Sequence, residues 1–150
     1  MKSEAPSTQT IWDLLNSGAV PDEIESVFEK ETTFSDYMNK HISNHPGLTA
    51  AKIARKADIP KSYANEILTG KKKGSRDRII ALCYAAGMSL EETRHGLIFS
   101  GNDPLYPKRK RDAYIIYIFN NIERFPTITD INLFLSDKGE EPLLTSKANI

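Results

Sequence analysis

Leu48-Thr-Ala-Ala-Lys-Ile-Ala-Arg-Lys-Ala-Asp-Ile-Pro-Lys-Ser-Tyr-Ala-Asn-Glu-Ile-Leu-Thr-Gly70 spaces its small, apolar and polar residues as two short helices meeting at a tight turn. Ile53, Ala54, Ala57 and Ile59 place an apolar stripe on the first helix and its turn, and Ala64 and Ile67 place one on the second. Helices that cross steeply over a turn of about three to four residues bring their backbones close together, and Ala54 presents only a methyl there. Asp58 stands in the turn, and aspartate is among the few non-glycine residues that tolerate a left-handed backbone. The polar residues between the stripes are left free for solvent or ligand.

Over Thr49 to Gly70 this segment resembles the helix-turn-helix of the phage repressor and Cro-like (Xre) family. Thr49 matches the cap of the first helix, Ile53-Ala54 the apolar-Ala pair, Ile59 the apolar residue after the turn, Ile67 the core anchor of the second helix and Gly70 its stop. The resemblance implies a lambda-repressor-like five-helix domain whose second helix lies in the major groove and offers its N-terminal residues to base edges. By position, Lys61, Ser62, Asn65 and Glu66 then read bases: lysine donates to guanine, asparagine pairs with adenine, and serine serves either. Thr49, Tyr63, Lys71, Lys72, Lys73, Ser75, Arg76 and Arg78 are the expected phosphate contacts. Tyr63 has two other readings, a thymine methyl contact or a cover for the core. Ala50 stands where many members carry a glutamine that touches a phosphate, so that contact is missing.

The whole chain is electrically neutral, with 20 basic and 20 acidic residues, yet the charge is polarised along it. Between Pro46 and Ile80 nine basic residues oppose three acidic ones, a net +6, whereas residues 1–36 carry eight acidic against two basic, a net −6. Lys71, Lys72 and Lys73 follow the second helix directly, where neutralising phosphate fixes register without reading sequence. Ser75 is expected to cap the next helix, whose free N–H groups could hold a phosphate beside Arg76 and Arg78.

A chain of 150 residues with 39% apolar content can bury one core, or one core with an appendage. No apolar run is long enough to span a membrane, and the reading is of a soluble, cytoplasmic protein, nucleoid-associated if bacterial. Cys83 is the single cysteine, which excludes an internal disulfide, and its neighbours Ile79, Leu82 and Ala86 make it a core residue. His41 and His45 have a metal-compatible spacing without a third ligand, so no metal and no cofactor is expected. Gly70-Lys-Lys-Lys-Gly-Ser75 lacks the order of a phosphate loop and follows a helix. Lys108-Arg109-Lys110-Arg111 reads as a solvated helix start, with a second phosphate contact or a nuclear import signal as its other readings. Without paired carboxylates, a nucleophile elbow or a glycine-rich cofactor turn, the chain is not expected to be an enzyme.

Helical spacing dominates throughout, which makes the fold class all-α. An acidic tail and helical hairpin occupies residues 1–32, with helices opened by Thr10 and Pro21. The helix-turn-helix domain covers 33–106, a second helical hairpin 107–144 and a tail 145–150. Ser89-Leu-Glu-Glu92 has the form of a capping box. The second hairpin repeats the stretch before it. Arg76-Asp77 returns as Arg111-Asp112, Ser89-Leu-Glu-Glu92 as Thr127-Ile-Thr-Asp130, and Gly101-Asn-Asp-Pro104-Leu105 as Gly139-Glu-Glu-Pro142-Leu143. The offset grows from 35 to 38 residues, which places a short insertion near Glu123 to Pro126. One hairpin cannot bury its apolar face alone, so the copy must stack on the first or on another subunit. The nearly all-apolar run Tyr114 to Phe119 favours a homodimer through this hairpin.

Two functions remain. One is a sequence-specific regulator that binds double-stranded DNA, most simply a transcriptional repressor. The other is a protein-interaction module, an antitoxin or adaptor, on the same scaffold. The absent glutamine at position 50 and the acidic N-terminal hairpin, a candidate protein-docking element, favour the second. The local charge of +6 favours the first.

Overall fold

The structure, a computed structural model, describes residues 12–13, 16–18 and 32–145. The described residues are all-α in class: residues 34–145 carry seven α-helices and one 3-10 turn, and no strand occurs among the described residues. The chain divides into two units, Met1–Thr33 and Phe34–Ile150. In the first, residues 12, 13 and 16 are helical, the Ser17 N–H donates to the Asp13 carbonyl at 3.0 Å, and Gly18 turns the chain with φ of +79°. The remainder of the expected acidic hairpin, including the helix opened by Pro21, lies outside the described residues, as does the tail 146–150.

The second unit runs α1 (Phe34–Ser43), α2 (Ala50–Ala57), α3 (Lys61–Leu68), α4 (Arg76–Ala85), α5 (Leu90–Phe99), α6 (Lys110–Asn120), the 3-10 turn (Ile122–Arg124) and α7 (Ile128–Asp137). Helix α2 starts where the Thr49 hydroxyl accepts the Lys52 N–H at 3.2 Å. It stops at Asp58, which takes φ 58° and ψ 41° and is the only non-glycine residue at positive φ among those described. With Asp58 left-handed, the Ile59 N–H reaches back to the Ala54 carbonyl at 3.0 Å and the Ile59 side chain drops into the core. Ala54, Ala57 and Ala64 are buried where α2 and α3 pack. At the far end of α3, the Ser35 hydroxyl and the Asn39 amide both donate to the Leu68 carbonyl, at 2.6 and 2.9 Å, so α1 holds the C-terminus of that helix.

Helix α4 is the axis of the core. Every residue from Ile79 to Ala85 is buried, and the helix packs against both α2 and α5. A helix apolar all round has no solvent face, and full burial of Ile79, Ile80 and Leu82 is worth about 2 kcal/mol each. Cys83 lies inside this axis, where burial pushes its thiol up to about 12. Across from it, Gly96 of α5 sits so close that an added Cβ would lie 2.9 Å from Cys83 Sγ and 3.4 Å from the Phe34 ring. Gly96→Ala is therefore expected to cost about 1 to 2 kcal/mol in urea unfolding, the overpacking strain outweighing the helix-propensity gain of alanine. A Gly96→Ala chain as stable as the wild type would show that the α4–α5 packing at Cys83 yields easily.

The repeat seen in the sequence has counterparts in the local structure. Helices α4–α5 form hairpin 1, and α6–α7 with the 3-10 turn form hairpin 2. Ser89 and Glu92 close a capping box at the start of α5, and Thr127 and Asp130 close one at the start of α7. Both second helices end alike: the Asn102 N–H reaches the Leu97 carbonyl and the Glu140 N–H the Leu135 carbonyl, each at 2.9 Å, past a left-handed glycine at 101 or 139. The three-residue growth in offset is the 3-10 turn Ile122–Arg124, in hairpin 2 alone, where hairpin 1 turns through Gly87.

The two hairpins clasp each other by exchanging the same groups. The Arg76 guanidinium grips Asp112 through two hydrogen bonds of 2.8 Å, and that of Arg111 grips Asp77 at 3.0 and 3.1 Å. Each arginine also ties down its own loop: Arg76 donates to the Asp103 and Pro104 carbonyls at 2.9 and 3.1 Å, Arg111 to those of Glu141 and Pro142 at 3.0 and 3.1 Å. Each aspartate then accepts a backbone N–H from the other hairpin's loop, Asp112 from Tyr106 at 3.0 Å and Asp77 from Leu144 at 2.9 Å. The copy thus stacks on the original within one chain, the first of the two arrangements the repeat allowed. The apolar excess of α6 is also met largely within the chain. Ile115, Ile118 and Phe119 are buried, and Tyr117 stacks on Phe134 with centroids 5.5 Å apart.

Candidate nucleic-acid interface

Helix α3 is amphipathic about the stripe that holds it. Ala64, Ile67 and Leu68 are buried, whereas Lys61, Ser62 and Asn65 are exposed. The side chains of Lys61, Ser62 and Asn65 make no hydrogen bond or ion pair with any described residue. Pro60 supplies no side-chain cap, so the first N–H groups of α3 also point outward beside Lys61. Three of the four expected base-reading residues therefore share one open turn.

Glu66, the fourth, is turned elsewhere. Its carboxylate lies 3.6 Å from Lys72 Nζ, and its carbonyl accepts the Lys72 N–H at 3.0 Å as the loop after Gly70 folds back. The pair offsets two charges that the sequence counted separately. Lys71 and Lys73 are exposed and unpaired among the described residues, so they carry the open positive charge beyond α3.

The expected phosphate set divides. Thr49 and Ser75 are exposed helix caps, Ser75 accepting the Arg78 N–H at 3.4 Å, and each hydroxyl keeps a proton to donate. Tyr63 is half-buried under cations, with Arg78 4.5 Å and Lys72 5.4 Å from its ring centre, which matches the reading of this residue as a cover. Arg78 also donates to the Thr145 carbonyl at 3.4 Å, so it packs between α3 and the end of hairpin 2.

Arg76 is engaged inside the protein. Four of its five N–H donors are taken up by Asp103, Pro104 and Asp112, and its side chain is only 23% exposed. A buried carboxylate outcompetes a solvated phosphate for that guanidinium, because separating the pair strands Asp112 without its counter-charge. The helix start that seemed to offer two arginines to DNA spends this one on the clasp.

Sequence reasoning passed over Lys52 and Lys56 of α2 as individual ligands. Lys52 Nζ donates to the Gly47 carbonyl at 2.8 Å, and Lys56 Nζ sits 5.2 Å above the Tyr84 ring. His41 and His45 stack with ring centres 4.0 Å apart, but His41 Nε2 donates to the Ala86 carbonyl and His45 Nδ1 to that of His41, at 2.8 and 2.7 Å. They join α1 to the turn after α4. Among the described residues no group of three or more His, Cys, Asp or Glu could hold a metal ion, and no helix is long and apolar enough to cross a membrane. Set against protein-family models, curated proteins and solved structures, the chain matches none of them.

Proposed function

We propose that this protein is a sequence-specific double-stranded DNA-binding regulator, most simply a transcriptional repressor, that inserts α3 into the major groove. One observation carries the reading: Lys61, Ser62 and Asn65 stand exposed and unbonded on the first turns of a short helix whose opposite side is locked into the core. Base-edge readout needs donors and acceptors that no internal partner has claimed, on a support too rigid to turn away. The order of α1 to α5, with a tight turn between α2 and α3 and a buried alanine at their crossing, supports a lambda-repressor-like arrangement. Lys71 and Lys73 supply the sequence-independent share of binding.

Gel retardation on pooled random duplexes tests the reading. Retention should weaken steeply with salt, and Lys71→Ala combined with Lys73→Ala should weaken binding uniformly across sequences and lower the salt slope by about 2. Absence of any salt-dependent retention would turn the assignment to the protein-interaction module.

A further inference from the structure

The clasp bears on how many chains meet the DNA, an inference that rests on the DNA reading above. Each hairpin brings one arginine, one aspartate and one loop, and takes the same three from the other. A surface that complements a copy of itself is what closes a two-fold homodimer. Here the copy is carried in cis. The loop of residues 100–109 joins α5 to α6, so the second half is held at an effective concentration on the order of millimolar or above, which a second chain cannot match.

Hairpin 2 has no helix-turn-helix of its own. Helices α1, α2 and α3 precede hairpin 1, whereas only that loop precedes hairpin 2. A two-chain assembly closed by such a face would bring two reading helices to symmetric half-sites about one helical turn apart. The closed pair in this chain brings one. We infer that the protein binds duplex DNA as a monomer, at a single asymmetric site without an inverted repeat. The clasp occupies the self-complementary face that would have joined two subunits, and Ile115, Ile118 and Phe119 of the α6 run are buried within the chain.

Selection of duplexes from a random pool by the full chain, followed by gel retardation on the enriched sequence, tests the inference. Wild-type chain mixed with a copy enlarged by a fused tag should give two shifted bands and no hybrid band between them. The enriched sequence should lack two-fold symmetry, and scrambling the flank one turn from its centre should change affinity by no more than about two-fold. A hybrid band, or an inverted repeat of which each half is required, overturns the monomer. So does a free chain that sediments as a dimer at micromolar concentration. Failure to retain any duplex while the free chain sediments as a monomer refutes the DNA reading itself, and the inference about site symmetry falls with it.

Discussion

Arg76→Ala is expected to lower the unfolding free energy by about 3 kcal/mol, about 10 °C in melting temperature. The loss comes from what the arginine leaves behind. Asp112 keeps only 3% of its side chain exposed, and without the guanidinium its carboxylate retains a single partner, the Tyr106 N–H at 3.0 Å. Arg111→Ala removes the same geometry from the other half of the clasp, but its partner Asp77 is 20% exposed and can recover water. That substitution should cost only about 1 kcal/mol. Urea denaturation of the two variants checks the order. Equal losses would mean that the loop contacts, common to both arginines, carry the clasp, and the argument from burial would fail.

Acid provides a second measure of the same pair. Burial alone would push the Asp112 carboxyl up, but hydrogen bonds from Arg76 and the Tyr106 N–H, with the charges of Arg76 and Arg109, outweigh it and hold the group below its ordinary value. A carboxyl depressed in the folded state contributes stability that is full above its unfolded value and is lost as pH falls through the folded one. The stability gap between the wild type and Asp112→Asn should therefore be constant near neutrality and close only below the usual carboxylate range. A gap that closed near pH 6 would point to a histidine in place of Asp112.

The local half of this fold was legible because local rules set it. The turn at Asp58, the caps at Thr49 and Ser75 and the capping boxes at Ser89 and Thr127 each depend on residues within a few positions of one another. The buried stripe Ile53, Ala54, Ala57, Ile59, Ala64 and Ile67 follows from periodicity alone. The duplication was legible too, from paired motifs at two offsets. Its consequence was not. Arg76 and Asp112 are 36 positions apart, and nothing in the spacing says that each arginine crosses to the other copy's aspartate. Positive charge at the start of α4 read as a phosphate seat because a sequence records the charge of a guanidinium but not which carboxylate has taken it. The same blindness made Glu66 and Lys72 look like independent ligands when the loop returns one to the other.

The exposed turn of α3 is expected to give the largest functional effect. In a chain carrying both Lys61→Ala and Asn65→Ala, affinity for the selected sequence should fall by about 100-fold or more, since a good bidentate base contact is worth about 1 to 3 kcal/mol of discrimination. Affinity for random duplex should fall far less, because on the proposed reading Lys71 and Lys73 are left to neutralise phosphate, and the salt slope should drop by about 1 for the single charge lost. Both side chains are exposed and bond no described residue, so the melting temperature should stay within a degree or two of the wild type's, corresponding to less than about 0.5 kcal/mol. That combination separates reading from scaffolding. If specific and random duplexes weakened equally, Lys61 and Asn65 would be acting on the phosphate backbone alone, and the base contacts would have to come from another element. If neither weakened, α3 would not be the helix in the groove, and its open face would be better explained as the docking surface of a protein partner.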